Sequence, residues 1–143
     1  MQKFLSCLAV LALLLCASLA YAGTYGPADA KFKVTPAPGW TEAPADGGVQ
    51  LTNGKSALVI VVAPHGGLTL EALGAAVITQ LGLTDVTKES SDDMHTIVGK
   101  KDSTELKMIF VKLDDGKNVA SFTMSGPDTA DMEKMVDSLE DVK

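Results

Sequence analysis

The sequence predicts an α+β fold: an antiparallel β-sheet of about six to seven strands flanked by two helices, an α/β/α sandwich. Three observations predict it. Short alternating or β-branched runs joined by turn residues fill most of residues 30–125. Only two segments, 70–81 and 128–142, carry apolar residues at helical spacing. Two strands, 57–63 and 105–113, are apolar on both sides, as helices on both faces of one sheet would require.

Taken in order, Phe32 and Val34 alternate with Lys31, Lys33 and Thr35, a short half-buried strand. Pro36, Pro38 and Gly39 stop it, and Trp40, the single tryptophan, follows. Residues 43–48 contain Pro and Gly and are expected to form a loop. Val49 and Leu51 then alternate with Gln50 and Thr52. Asn53-Gly54 predicts a type I′ hairpin, which needs positive φ at both positions. Its partner, 57–63, is expected to be a central strand covered on both faces.

Pro64-His65-Gly66-Gly67 ends that strand. Thr69 is placed to cap a helix with Glu71 in its first turn, Leu70, Leu73, Val77 and Leu81 on one face, and Gly82 as a left-handed stop. Four strands follow, around 85–89, 95–101, 105–113 and 118–125, the last two joined through Asp114-Asp115-Gly116-Lys117. Gly126-Pro127 breaks the chain. Asp128 is expected to cap a closing helix whose apolar face is Met132, Met135, Val136, Leu139 and Val142.

The amino terminus has a different character. Lys3 supplies a charged start, residues 4–19 form an apolar stretch, and Ala20-Tyr21-Ala22 places small residues at the −3 and −1 positions of a signal peptidase site. Cleavage after Ala22 is expected, leaving residues 23–143 as a single globular domain in the periplasm or secreted. A retained anchor needs about 20 apolar residues, more than this stretch offers. Lipidation at Cys16 is disfavoured because Leu15, not a small residue, precedes it. Both cysteines, Cys7 and Cys16, lie in the leader, so the remaining domain depends on burial rather than on disulfides.

The chain has 12 Lys, no Arg and 18 acidic residues; without the leader, 11 Lys face the same 18 acids, a net charge of −7. Phosphate contact depends on clustered Lys and Arg, so nucleic acid is not an expected partner. Anionic lipid is disfavoured for the same reason, and no stable membrane insertion is expected once the leader is removed.

The strand Phe32-Lys33-Val34 leading into Pro38-Gly39-Trp40 resembles the opening of the PsbP/Mog1-like superfamily. The Asn-Gly hairpin, the Leu-rich helix, the later hairpins and the closing helix keep that order through residues 30–142. The resemblance implies an antiparallel sheet between helices. It also implies an accessory or binding role in larger assemblies, as in photosystem II extrinsic subunits, a Ran-binding factor of yeast and small exported bacterial members. It assigns no functional residue.

Candidate chemistry is sparse. Nucleophilic catalysis needs an activated Ser, Cys or Thr with a base and an orienting group. Residues 23–143 hold no Cys, only His65 and His95, and no Gly-x-Ser-x-Gly elbow, so no catalytic residue is assigned and no enzyme is expected. Asp92, Asp93 and His95 offer metal-ligating atoms, but in a polar turn expected to be solvated, and no metal or other cofactor is assigned. Asp114-Asp115-Gly116 lacks the alternate oxygens and closing Glu of a calcium loop. The remaining candidate is a ligand loop at His65, Gly66 and Gly67, where a strand end, two glycines and a helix start can offer backbone N–H groups. Trp40 is its candidate platform, although a lone Trp beside Pro-Gly more often packs. The expected function is an exported, non-catalytic accessory module contacting another protein; the alternative is a small-ligand or metal-binding periplasmic protein.

Overall fold

Period-two alternation along the long strands builds one large sheet. The computed structural model describes residues 23–142; the leader, its cysteines and the cleavage site at Ala22 lie outside them. Seven strands pair antiparallel throughout: β3 (Thr41–Ala45), β4 (Gly48–Thr52), β5 (Ala57–Pro64), β6 (Thr84–Ser90), β7 (Met94–Lys101), β8 (Thr104–Lys112) and β9 (Asn118–Ser125). Their spatial order is β3-β4-β5-β9-β8-β7-β6. A second sheet joins β1 (Thr24–Tyr25), β2 (Phe32–Lys33) and β10 (Glu140–Asp141), so the Phe32 strand belongs to this small sheet and not to the large one. The fold is α+β, with helices α1 (Leu70–Leu81) and α2 (Thr129–Asp137) on opposite faces of the large sheet.

Each helix covers half a face. α2 places Met132 and Met135 over Leu51, Leu58, Ile60 and Phe122, with Trp40 and Val34 closing the same core. α1 sits on the other face, where Leu70 packs with Ile97, Met108 and Phe110. Strand β8 therefore feeds both cores, with Met108 and Phe110 beneath α1 and Ile109 and Val111 turned toward the other. That strand packs against a core on both sides, fully beneath α1 and in part on the other side, where Ile109 and Val111 stay half-buried against the α2 core.

β5 does not. Leu58, Ile60 and Val62 are buried, but Ala57, Val59 and Val61 on the opposite side are only half-buried, because α1 lies over β7 and β8. The expectation of double cover fails here because one 12-residue helix spans only part of a seven-stranded face.

Other departures are local. Residues 41–45 form the edge strand β3, where Pro44 is tolerated because an edge residue needs no outward hydrogen bond. The Asn53-Gly54 turn has positive φ only at Gly54, 89°. Asn53 Oδ1 instead accepts from the backbone N–H of Lys55 at 2.9 Å and of Ser56 at 2.8 Å, so a side chain closes the loop. The caps of α1 form as expected: Thr69 accepts from Ala72 N–H, and Gly82 takes φ 66°. Asp128 makes no side-chain cap to α2; its carboxylate is drawn into the β4–β5 turn. The helix ends at Asp137, so Leu139 and Val142 lie beyond it, and Glu140–Asp141 pairs with β2.

Candidate functional site

The register Pro64↔Asn118 brings the end of β5 beside the start of β9, so the His65 loop meets the Asp114–Lys117 turn. A half-open cleft of about 520 Å³ lies there, walled by Val111 and Leu113 and ringed by His65, Asp93, Lys112, Asp114, Gly116 and Asn118. The structure thus gathers His65 and Asp93, far apart in sequence, at one cleft. His95 and Trp40 are not part of it.

The His65 ring is committed on both sides. Nδ1 accepts the Gly67 N–H at 2.9 Å, which leaves the ring hydrogen on Nε2 to bond Gly116 O at 3.0 Å. The His65 N–H also donates to Lys117 O at 3.0 Å. Gly66 and Gly67 take φ of 61° and 80°, so the glycines turn the chain around the imidazole. A ligand or metal at either ring nitrogen would have to displace a bond of this clamp.

The facing turn is equally tied. Asp115 Oδ1 accepts from Lys117 and Asn118 N–H at 2.8 Å each, and Oδ2 accepts from Asn118 Nδ2 at 2.6 Å. The Asn118 N–H first, then that of Lys117, hold the Asp115 carboxyl below its usual range. Lys117 Nζ pairs with Asp29 Oδ2, which lowers the Asp29 carboxyl and raises the lysine. Asn118, 1% exposed, keeps one unpaired group: its Oδ1 meets no partner among the described residues. Sequence reasoning passed over Asn118; its only signal is an amide at the first position of a strand, just after the Asp114–Lys117 turn.

The other expected candidates sit elsewhere. His95, 3% exposed, lies under α1 with Nδ1 2.6 Å from Ser90 Oγ. Gly74 rests on its ring: a Cβ at 74 would stand 2.8 Å from Nε2. This Ser–His pair has no carboxylate on Nε2 among the described residues, and it does not line the cleft beside His65. Asp93 and His95 therefore do not converge, and no cluster of three or more metal-ligating side chains occurs among the described residues. Trp40 is at the opposite end of β5 from His65. It is 7% exposed, and its Nε1 donates to Asp131 Oδ2 at 3.2 Å, so it closes the core against α2.

A second surface emerges only from the register. On the side of the large sheet left bare by α1, Ala43 pairs with Gln50, Gln50 with Val59, Val59 with Thr123, and Val61 with Ser121. Strands β4, β5 and β9 contain no charged residue, and the β3 positions on this side are Thr41, Ala43 and Ala45. The result, among the described residues, is a half-exposed, charge-free sheet face on a chain that carries 30 charged side chains, from 12 Lys and 18 acids.

No family model matches the chain, and no curated protein matches it. Among the described residues, no helix is long and apolar enough to cross a membrane.

Proposed function

We propose that this protein is an exported, non-catalytic accessory module that binds another protein through the bare half of its large sheet. The observation that carries this reading is β5. Its run of Val and Ile is apolar on both sides, yet only the Leu58–Ile60–Val62 side is covered by the fold. Charged residues are excluded from the uncovered side, where they would be cheapest to place if that side faced only water. The partner it fits is a second protein presenting a weakly charged surface, because burying an unpaired charge against this face would be costly. The leader motif and the resemblance to PsbP/Mog1-like accessory proteins support the same reading.

Copurification of the tagged protein from its native compartment, with crosslinking, supplies the partner. Thr123→Lys or Gln50→Lys should abolish its capture without lowering the melting temperature, whereas Lys88→Ala on the distant edge strand should leave capture intact. Capture that survives both lysine substitutions would sink the reading, and a partner that proves to be a second copy would change the occupant.

One observation favours a second reading, a small-ligand protein: the cleft beside His65 with the unpaired Asn118 Oδ1. A ligand binding only the folded state at 100 times its dissociation constant adds about 2.7 kcal/mol of stability. A thermal shift with a small polar molecule or a metal ion, lost in Asn118→Ala, would favour that reading over the first.

A further inference from the structure

Glu42 is a carboxylate in an unexpected place. It pairs with Leu51 in the β3–β4 ladder, so it lies on the core-facing side of the edge strand. Its Oε1 accepts the Gly23 N–H at 3.4 Å, and its Oε2 is buried with no partner of hydrogen-bonding geometry among the described residues. Tyr25, packed against Phe32 with ring centroids 6.0 Å apart, is the neighbouring group. Burial first, then hydrogen bonding to Glu42 and its charge, push the Tyr25 phenol up to about 12. The Tyr25 hydroxyl also lies close to residue 23: a Cβ there would stand 2.5 Å from it, so the phenol end would have to shift to admit a side chain.

Glu42 is half-buried, and with Oε2 shielded from water and only a long Gly23 N–H and the Tyr25 phenol beside it, its carboxylate can take a further donor. Gly23 is the residue that cleavage after Ala22 would make the amino terminus. We propose that leader removal converts the Gly23–Glu42 contact into an ion pair that locks β1 and its small sheet onto the edge of the large one. A signal peptidase and water supply the chemistry. The Ala22–Gly23 peptide bond breaks, the hydroxyl of water joins the Ala22 carbonyl carbon, and its hydrogen goes to the Gly23 nitrogen. That amine takes up a further proton at neutral pH. One N–H is thereby replaced by an ammonium with three donors, beside a carboxylate that has an oxygen to fill. The leader-bearing chain lacks this pair, so part of the fold's stability arrives only after export. The inference rests on the export reading above.

The test uses the chain beginning at Gly23, which contains the twelve elements found among the described residues. It is compared with the same chain acetylated at its α-nitrogen, both as Glu42 and as Glu42→Gln. Acetylation should lower Tm by roughly 3–5 °C with Glu42 present, and the shift should vanish in Glu42→Gln. Equal shifts in both backgrounds, or none in either, would overturn the ion pair.

If Glu42→Gln does not fold, NMR titration of the unmodified chain decides. The Gly23 amine should titrate above the ordinary range of about 7.7–8.0, and an ordinary value overturns the proposal. The charged and titratable groups around it are Glu42 on β3, Tyr25 on β1, Lys33 opposite Thr24, and Glu140 beyond Lys33. With the folded value raised, the stabilisation is complete below the ordinary range and is lost as pH rises through the folded value. Intact mass from the native compartment tests the export reading separately: a terminus other than Gly23 overturns cleavage at Ala22, whatever the prepared chain shows.

Discussion

The Ser56 hydroxyl donates to Asp128 Oδ2 at 2.7 Å and accepts the Asp128 N–H at 3.0 Å. This reciprocal pair, 72 residues apart in sequence, joins the β4–β5 turn to the start of α2. Asn53 Nδ2 adds a third bond to the same carboxylate oxygen at 2.9 Å. Gly126 allows the approach: at φ 96°, a Cβ there would stand 2.4 Å from Ser56 Oγ. An aspartate placed to cap a helix has become the peg that holds that helix to the sheet.

Acid should loosen this peg. The Asn53 bond first, and Ser56 next, hold the Asp128 carboxyl below its ordinary 3.8. A carboxyl lowered in the folded state contributes stability that is present above its unfolded value and lost as pH falls through the folded one. Denaturant melts from about pH 5 to about pH 2 should show a steeper loss for the native chain than for Asp128→Asn. Ser56→Ala, which removes a buried hydroxyl, should cost about 1–3 kcal/mol at neutral pH.

Gly74→Ala should destabilise the protein even though alanine is worth about 1 kcal/mol more than glycine inside a helix. The added methyl would meet His95 Nε2 and Cδ2 and Ile97 Cδ1, each at 2.8 Å. Overpacking of that kind costs about 1–3 kcal/mol. A urea melt in which Gly74→Ala is more stable than the native chain would show that α1 can lift off β7 freely.

His65→Ala tests clamp against ligand site. Losing one side-chain hydrogen bond within the β5–α1 loop and one to the facing turn should cost about 1–3 kcal/mol, with partner capture unchanged. Loss of capture at full stability would mean that the imidazole contacts the partner.

Two neighbours on β5 should behave oppositely. Ile60, 1% exposed, should lose about 2–5 kcal/mol on truncation to alanine. Val59→Thr, on the bare side, should stay within about 0.5 kcal/mol. Chemical melts of both variants check the contrast, and a comparable cost at Val59 would mean that its side is covered after all.

Much of the architecture follows from local pattern. The strand of 118–125, the two-sided packing of β8 and both caps of α1 are set by neighbours in sequence: alternation, a Thr one residue before the helix, a Gly just after it. The α+β class follows from the same signals. The positive φ of Gly66 and Gly67 was equally legible, since only glycine enters that region without strain.

What the chain could not declare locally is which neighbours each element finds. Residues 43–48 look like a loop because Pro44 and the glycines disfavour a paired strand; residues 41–45 are a strand because their place is the sheet edge, where one side needs no partner. Asp128 has the sequence of a cap and the position of a tether. Asp93 and His95, two residues apart, are separated when the chain turns into β7, while His65 and Asp93 come to share a cleft. Residues 57–63 announce a strand with two apolar sides, but helix length and placement decide that only one is covered. Periodicity is a property of adjacent residues and is written in the sequence. Cover, register and the spare oxygens of Glu42 and Asn118 depend on contacts across tens of residues, and the tertiary structure alone determines them.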